Sequence, residues 1–122
     1  MRILVVDDAP FIVRALRDVL GARGFEIHEV QSGEEALSVY RDLRPDVVLM
    51  DILMPGMNGI AVTREIVNMD PSANIIVITA IGKPGLEREC MDAGARGFLL
   101  KPFRIRDLLA LIESLSRRGD ER

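Results

Sequence analysis

The chain has one cysteine, Cys90, in 122 residues, so no disulfide can form within it and no thiolate metal site can be built from it alone. The plain reading of Cys90 is a small apolar residue on a helix face. No stretch approaches the roughly 18 uninterrupted apolar residues that a membrane span requires, and the start MRILVVDD is too short and too acidic for a signal peptide. No membrane insertion and a cytoplasmic location are therefore expected. Basic runs are also missing: none exceeds Arg117-Arg118, and the net charge is -3, which argues against direct nucleic-acid binding. Lysine is scarce, with only Lys83 and Lys101 beside fourteen arginines, a bias whose plain reading is codon usage. The single histidine, His28, lies in an apolar run that reads as a strand, away from any site described below. There is no nucleotide-binding loop.

What remains is a globular balance, 48% hydrophobic and 29% charged, at a length suited to one domain. Residues 1–118 are expected to form it, with 119–122 as a polar tail and fraying from Arg117 onward. Short β-branched apolar runs at 3–6, 26–30, 47–50, 75–79 and 97–100 alternate with stretches whose apolar residues recur every three or four positions. The first helix should begin near Pro10 with Asp8 as N-cap, bury Ile12, Ala15, Leu16 and Val19, and stop at Gly21 and Gly24. The second opens on Ser32-Gly33-Glu34-Glu35, which fits a capping box, and ends before Pro45. A third covers about 59–68, a fourth about 85–92 and a fifth about 104–116, the last with Ile105, Leu108, Leu109, Ile112 and Leu115 on one face.

Alternating strands and helices call for an α/β, doubly wound (βα)5 fold: a five-stranded parallel sheet with helices on both faces. The first and third runs are the most uniformly apolar and should be central. That suits the flavodoxin-like order 2-1-3-4-5, a known arrangement of such sheets. Ligands of such sheets bind beyond the carboxyl ends of the strands, where strand order reverses. Those ends carry Asp7-Asp8, Asp51, Thr79 and Lys101-Pro102. One acid after a strand is commonplace, but three carboxylates, a hydroxyl and an ammonium on one rim are not. Carboxylates about 5 Å apart repel by about 3 kcal/mol at an effective dielectric of about 20, so the cluster needs a compensating cation. Magnesium prefers oxygen ligands, takes one or two carboxylates and completes its shell with water and phosphate oxygens. Lys101 can neutralise a phosphate oxygen and Thr79 can donate to another.

With these residues and the segments VVDDAPF, VVLMDILMPGMNG, IIVITA and GFLLKPF, the whole chain resembles the receiver domains of two-component response regulators. The resemblance implies that Asp51 is the phosphoacceptor, that Asp8, Asp51 and the backbone carbonyl of Leu53 bind Mg2+, and that Asp7 reaches the metal through water. Thr79, Ala80 and Lys101 then bind the phosphoryl oxygens, and a cis peptide bond joins Lys101 to Pro102. Thr79 and Phe98 form the switch, with phenylalanine where the family often has tyrosine. Leu53 and Ile81 flank the path of the water that hydrolyses the phosphoaspartate, and being apolar they predict slow self-dephosphorylation. Pro55 and Gly59 match the family's turn after the acceptor, where glycine can take backbone angles other residues resist.

The implied donor is a histidine kinase. The surface of the fourth helix, fifth strand and fifth helix would act on an output protein or domain, the flagellar motor switch among the candidates, and a separate phosphatase could end the signal. The segments DDAPFIVR and FLLKPF look most like stand-alone chemotaxis regulators of the CheY type. The alternative is a receiver cut from a longer transcription factor or hybrid kinase. An aspartate-nucleophile phosphatase usually has a second acid two residues after the nucleophile, where this chain has Leu53. A flavin carrier lacks its hydroxyl-rich phosphate loop here, since Asp7-Asp8 would repel the flavin phosphate. A degenerate docking receiver would have lost site residues that are all present. The chain is thus expected to be a phosphoacceptor switch rather than an enzyme.

Overall fold

The computed structural model describes residues 1–54 and 56–120, with the backbone alone for 116–120. The strands are β1 (Arg2–Val6), β2 (Glu26–Val30), β3 (Val47–Met50), β4 (Ile75–Thr79) and β5 (Gly97–Leu100). The helices are α1 (Pro10–Gly21), α2 (Gly33–Leu43), α3 (Gly59–Met69), α4 (Leu86–Asp92) and α5 (Ile105–Asp120). All strand pairings are parallel and their order is β2-β1-β3-β4-β5, as expected. Among the described residues no helix is long and apolar enough to cross a membrane.

Each central strand is apolar on both faces because both faces are covered. Ile3 and Val5 of β1, with Val47 and Leu49 of β3, point into a core beneath α1 and α5, where Leu16, Leu20, Leu108, Ile112 and Leu115 meet them. Leu4 and Val6, with Val48 and Met50, point the other way, toward Ala36 and Tyr40 of α2 and Val62 and Ile66 of α3. A third cluster seats α4 through Leu86 and Cys90 against Val77, Ile52 and Ile60. Burial of each large aliphatic side chain stabilises the fold by about 1.5–3 kcal/mol, so β1 and β3, which are buried almost throughout, are the fixed platform on which the loops stand. Cys90 is 1% exposed, and its burial pushes the thiol pKa up, as suits a packing residue.

Some local expectations need correction. Asp8 does not cap α1: Ala9 is the N-cap and makes no side-chain cap bond. The Ala9 amide instead donates to Asp7 Oδ1 at 2.8 Å, and Pro10, at the first turn, has no amide to satisfy. The buried stripe of α1 is Val13, Leu16 and Leu20, while Ala15 is exposed and Ile12 and Val19 are half-buried. The helix is thus turned by about one residue from the face the periodicity favoured. In α2 the Glu35 amide donates to Ser32 Oγ at 3.3 Å, one half of the expected capping box; the return bond from the Ser32 amide to the Glu35 carboxylate is not made. α4 starts at Leu86, with Gly85 as N-cap at φ 83°, and α5 runs on to Asp120. The backbone of α5 thus continues past Arg117, where fraying was expected, and residues 121–122 of the expected tail lie outside the described ones. The expectation for Pro55 also lies outside them.

Candidate functional site

The sheet delivers its polar residues to one rim because of register. In the parallel ladder Val6 pairs with Met50, so the next residues, Asp7 and Asp51, leave adjacent strands side by side. The Asp51 amide donates to the Val6 carbonyl at 2.9 Å, which fixes the acceptor backbone to the end of β1. On the other side, Thr79 pairs with Leu100, and the Lys101 amide donates to the Thr79 carbonyl at 2.8 Å. Lys101 therefore leaves β5 level with the end of β4, and its side chain reaches across to the acids.

Asp7 is 3% and Asp51 9% exposed, whereas Asp8 is open to solvent. One carboxylate oxygen from each of Asp7, Asp8 and Asp51 falls within 4.8 Å of the others. Lys101 Nζ lies 3.0 Å from Asp7 Oδ2 and 3.9 Å from Asp51 Oδ2, so its primary partner is Asp7. Asp51 Oδ1 accepts the Ile52 amide at 2.8 Å. Burial raises the Asp51 pKa, and the Asp7 charge raises it further; Lys101 and the Ile52 amide only partly offset this.

The donor set suits a hard divalent cation. It is made entirely of oxygens, two of the three acids are held in place by the sheet, and the exposed Asp8 leaves one side open for water or a second ligand. The positive charge now present, Lys101, is engaged chiefly with Asp7 and leaves Asp51 undercompensated. Asp7, Asp8 and Asp51 are the residues that could hold such an ion.

Thr79 is 1% exposed and its Oγ1 accepts the Ile81 amide at 3.2 Å, which leaves the hydroxyl proton free to point elsewhere. Ala80 is exposed beside it. Ile81 and Phe98 are half-buried, and each packs against the cluster under α4. Leu53 projects into solvent, 64% exposed. The Lys101–Pro102 bond is cis. His28 lies on β2, the strand at the far edge, with Nε2 2.7 Å from Glu26 Oε2.

Two features escaped sequence reasoning. The first is the Lys101–Asp7 pair, which joins residues 94 apart in the chain. The second is the reason for Gly59. Its φ is not in the left-handed region; a Cβ there would overlap the Asp51 carbonyl oxygen and lie 2.9 Å from Ile52 Cα. The Gly59 amide donates to the Ile52 carbonyl at 2.8 Å, so α3 begins in contact with the acceptor backbone. The positive φ in this turn belongs to Gly56, at 83°.

A family model described as the response regulator receiver domain matches residues 3–113. The chemotaxis protein CheY of Thermotoga maritima is 41% identical over 117 residues, which covers 95% of this chain and 98% of that protein. The DNA-binding response regulator MtrA of Mycolicibacterium smegmatis is 38% identical over 120 residues, 98% of this chain but 52% of that protein. Among solved structures, the CheX–CheY–BeF3–Mg complex from Borrelia burgdorferi superposes with a TM-score of 0.89 at 35% identity, covering 94% of this chain and 88% of that one.

Proposed function

The chain belongs to the response regulator receiver domain family of two-component signalling, and from that premise we propose that it is a chemotaxis-type switch that accepts a phosphoryl group on Asp51. The observation that carries the assignment is the Asp51 carboxylate at the end of a central strand, with Asp7, Asp8 and Lys101 converging on it. Receiver domains act as phosphoacceptors for histidine kinases and not as classical enzymes. Here an Asp51 oxygen attacks phosphorus in line, the O–P bond forms as the N–P bond of the donor phosphohistidine breaks, and the imidazole takes up a proton as it leaves.

Asp8, Asp51 and the Leu53 carbonyl are the proposed Mg2+ ligands, with Asp7 acting through water; the ion supplies positive charge to the acceptor and to the incoming phosphoryl oxygens. Lys101, held by Asp7 in the resting site, turns its ammonium to a phosphoryl oxygen. Thr79 donates its free hydroxyl proton to another, and the Ala80 amide serves the third. Because Thr79 Oγ1 also accepts the Ile81 amide, its movement carries Ile81, which packs against the same cluster under α4 as Phe98. The added charge, about two negative units, is read out in this way on the face of α4, β5 and α5.

The reading of residues 1–118 as the receiver, a cytoplasmic setting, an output partner such as the flagellar motor switch, and a separate phosphatase belong to the same proposal. The 41% identity to the Thermotoga CheY supports the chemotaxis-type reading. The half-length match to MtrA supports the alternative of a receiver joined to an output domain. Incubation with labelled acetyl phosphate and Mg2+ tests the acceptor: the wild type takes up a hydroxylamine-labile label and Asp51→Asn takes up none. Normal labelling of Asp51→Asn overturns the assignment.

A further inference from the structure

The acceptor is anchored by a strand, but the loop that follows it has little backbone support. Its ends are secured, with the Ile52 carbonyl accepting the Gly59 amide at 2.8 Å and Asn58 Oδ1 accepting the Ile60 amide at 2.7 Å. Between them, none of Leu53, Met54, Gly56 and Met57 makes a hydrogen bond to another described residue. Side-chain packing holds this stretch instead: Met54 and Met57 are half-buried against the core between β1, β3, α2 and α3.

The seat of Met57 is Gly33, the buried first residue of α2. A Cβ on Gly33 would lie 2.7 Å from Met57 Cβ, 3.1 Å from Met57 Sδ and 2.7 Å from Val62 Cγ2. The φ of Gly33 is outside the left-handed region, so space, and not backbone angle, demands the glycine. Val62 is fully buried on α3 and has no room to retreat. Met57 sits on a loop and can yield, but only by carrying the loop with it. A side chain at position 33 therefore shifts the segment that bears Leu53.

We propose that Gly33 and Met57 are a positioning pair that sets the path of the acceptor loop, and with it the place of the Leu53 carbonyl relative to the Asp7, Asp8 and Asp51 carboxylates. This rests on the magnesium site proposed above. The N-terminus of α2, which supplies nothing to the acidic cluster, thereby becomes the wall against which one ligand is aligned. Groups hydrogen-bonded to metal ligands typically change metal affinity by about 10–100-fold when altered, and a pair that acts through the loop backbone is expected at the lower end.

The test compares Gly33→Ala, Met57→Ala and a control, Gly94→Ala. Gly94 has φ +112° and a Cβ there would lie 2.7 Å from Val67 Cγ2, so its substitution strains the fold away from the loop. Mg2+ is titrated while the amide resonances of Asp8, Ala9, Ile52 and Leu53 are followed, and the thermal midpoint is measured without metal. The expected result is that Gly33→Ala and Met57→Ala bind Mg2+ about tenfold more weakly. Gly94→Ala should lose stability yet bind as the wild type does. If Gly33→Ala does not fold, Met57→Ala alone decides. Wild-type affinity in the folded variants reduces the pair to ordinary packing and overturns the proposal, as does an equal loss of affinity in Gly94→Ala. A wild type that binds no Mg2+ instead overturns the site assignment beneath it.

Discussion

Replacing Asp51 by asparagine should stabilise the metal-free protein. The magnitude follows from the charges around Asp51. Lys101 at 3.9 Å attracts it by about 4 kcal/mol at an effective dielectric of about 20, and Asp7, at no more than 4.8 Å, repels it by at least about 3.5 kcal/mol. These two nearly cancel. Asp8 adds repulsion, reduced by solvent because its side chain is exposed. What remains uncompensated is the cost of burying a carboxylate that is 9% exposed, which agrees with burial as the main cause of its raised pKa. Asparagine keeps an oxygen for the Ile52 amide and removes the charge. The expected gain is about 1 kcal/mol or more at neutral pH. The pH dependence has a definite sign. A raised folded-state pKa means that Asp51 favours folding when protonated, and this contribution is lost as pH rises from the ordinary value of 3.8 through the raised one. The difference between variant and wild type should therefore be largest at neutral pH and shrink on acidification toward that window. Urea unfolding with EDTA, at several pH values, measures it. Saturating Mg2+ should reverse the order, because the ion stabilises the wild type by binding its folded state. A variant less stable than the wild type at neutral pH without metal, or a difference that does not change with pH, refutes the reasoning.

Asp8→Ala should lose more Mg2+ affinity than Asp7→Ala in a calorimetric titration, since Asp7 is already engaged by Lys101 and the Ala9 amide; the reverse order contradicts the ligand assignment. Asp7→Ala should instead cost more stability in urea, because it removes the nearer partner of an ammonium that is only 16% exposed. The combination of Leu53→Asn and Ile81→Glu should shorten the phosphoaspartate lifetime by about tenfold, the worth of one oriented hydrogen bond to the attacking water. The two substitutions should differ in stability. Leu53 is 64% exposed and its replacement nearly neutral, whereas Ile81 packs against the cluster under α4 and its replacement should cost about 1 kcal/mol. An unchanged lifetime in the folded, phosphorylated double variant assigns both residues to packing.

The order of elements and the identity of the rim residues were legible in the sequence because both depend on local pattern. Runs such as residues 47–50, apolar on both faces, specify a covered parallel strand, and the polar residue that follows each run marks where the strand must end. The Ser32 cap was equally local, as it acts on an amide three residues away. The phase of α1 was not, because Ile12, Val13, Leu16, Val19 and Leu20 form a continuous apolar arc, and only the sheet beneath selects which part of it is buried. Asp7 and Asp8 are both acids after a strand. It took the register of β1 against β3 to turn Asp7 inward, to the Ala9 amide and Lys101, and to leave Asp8 in solvent. Gly59 and Gly33 were visible as glycines, but each is required by a neighbour brought close in space, the Asp51 carbonyl for one and Met57 for the other. Such contacts depend on how the α-carbons of distant segments approach one another, a property of the packed sheet and helices that no spacing along the chain encodes.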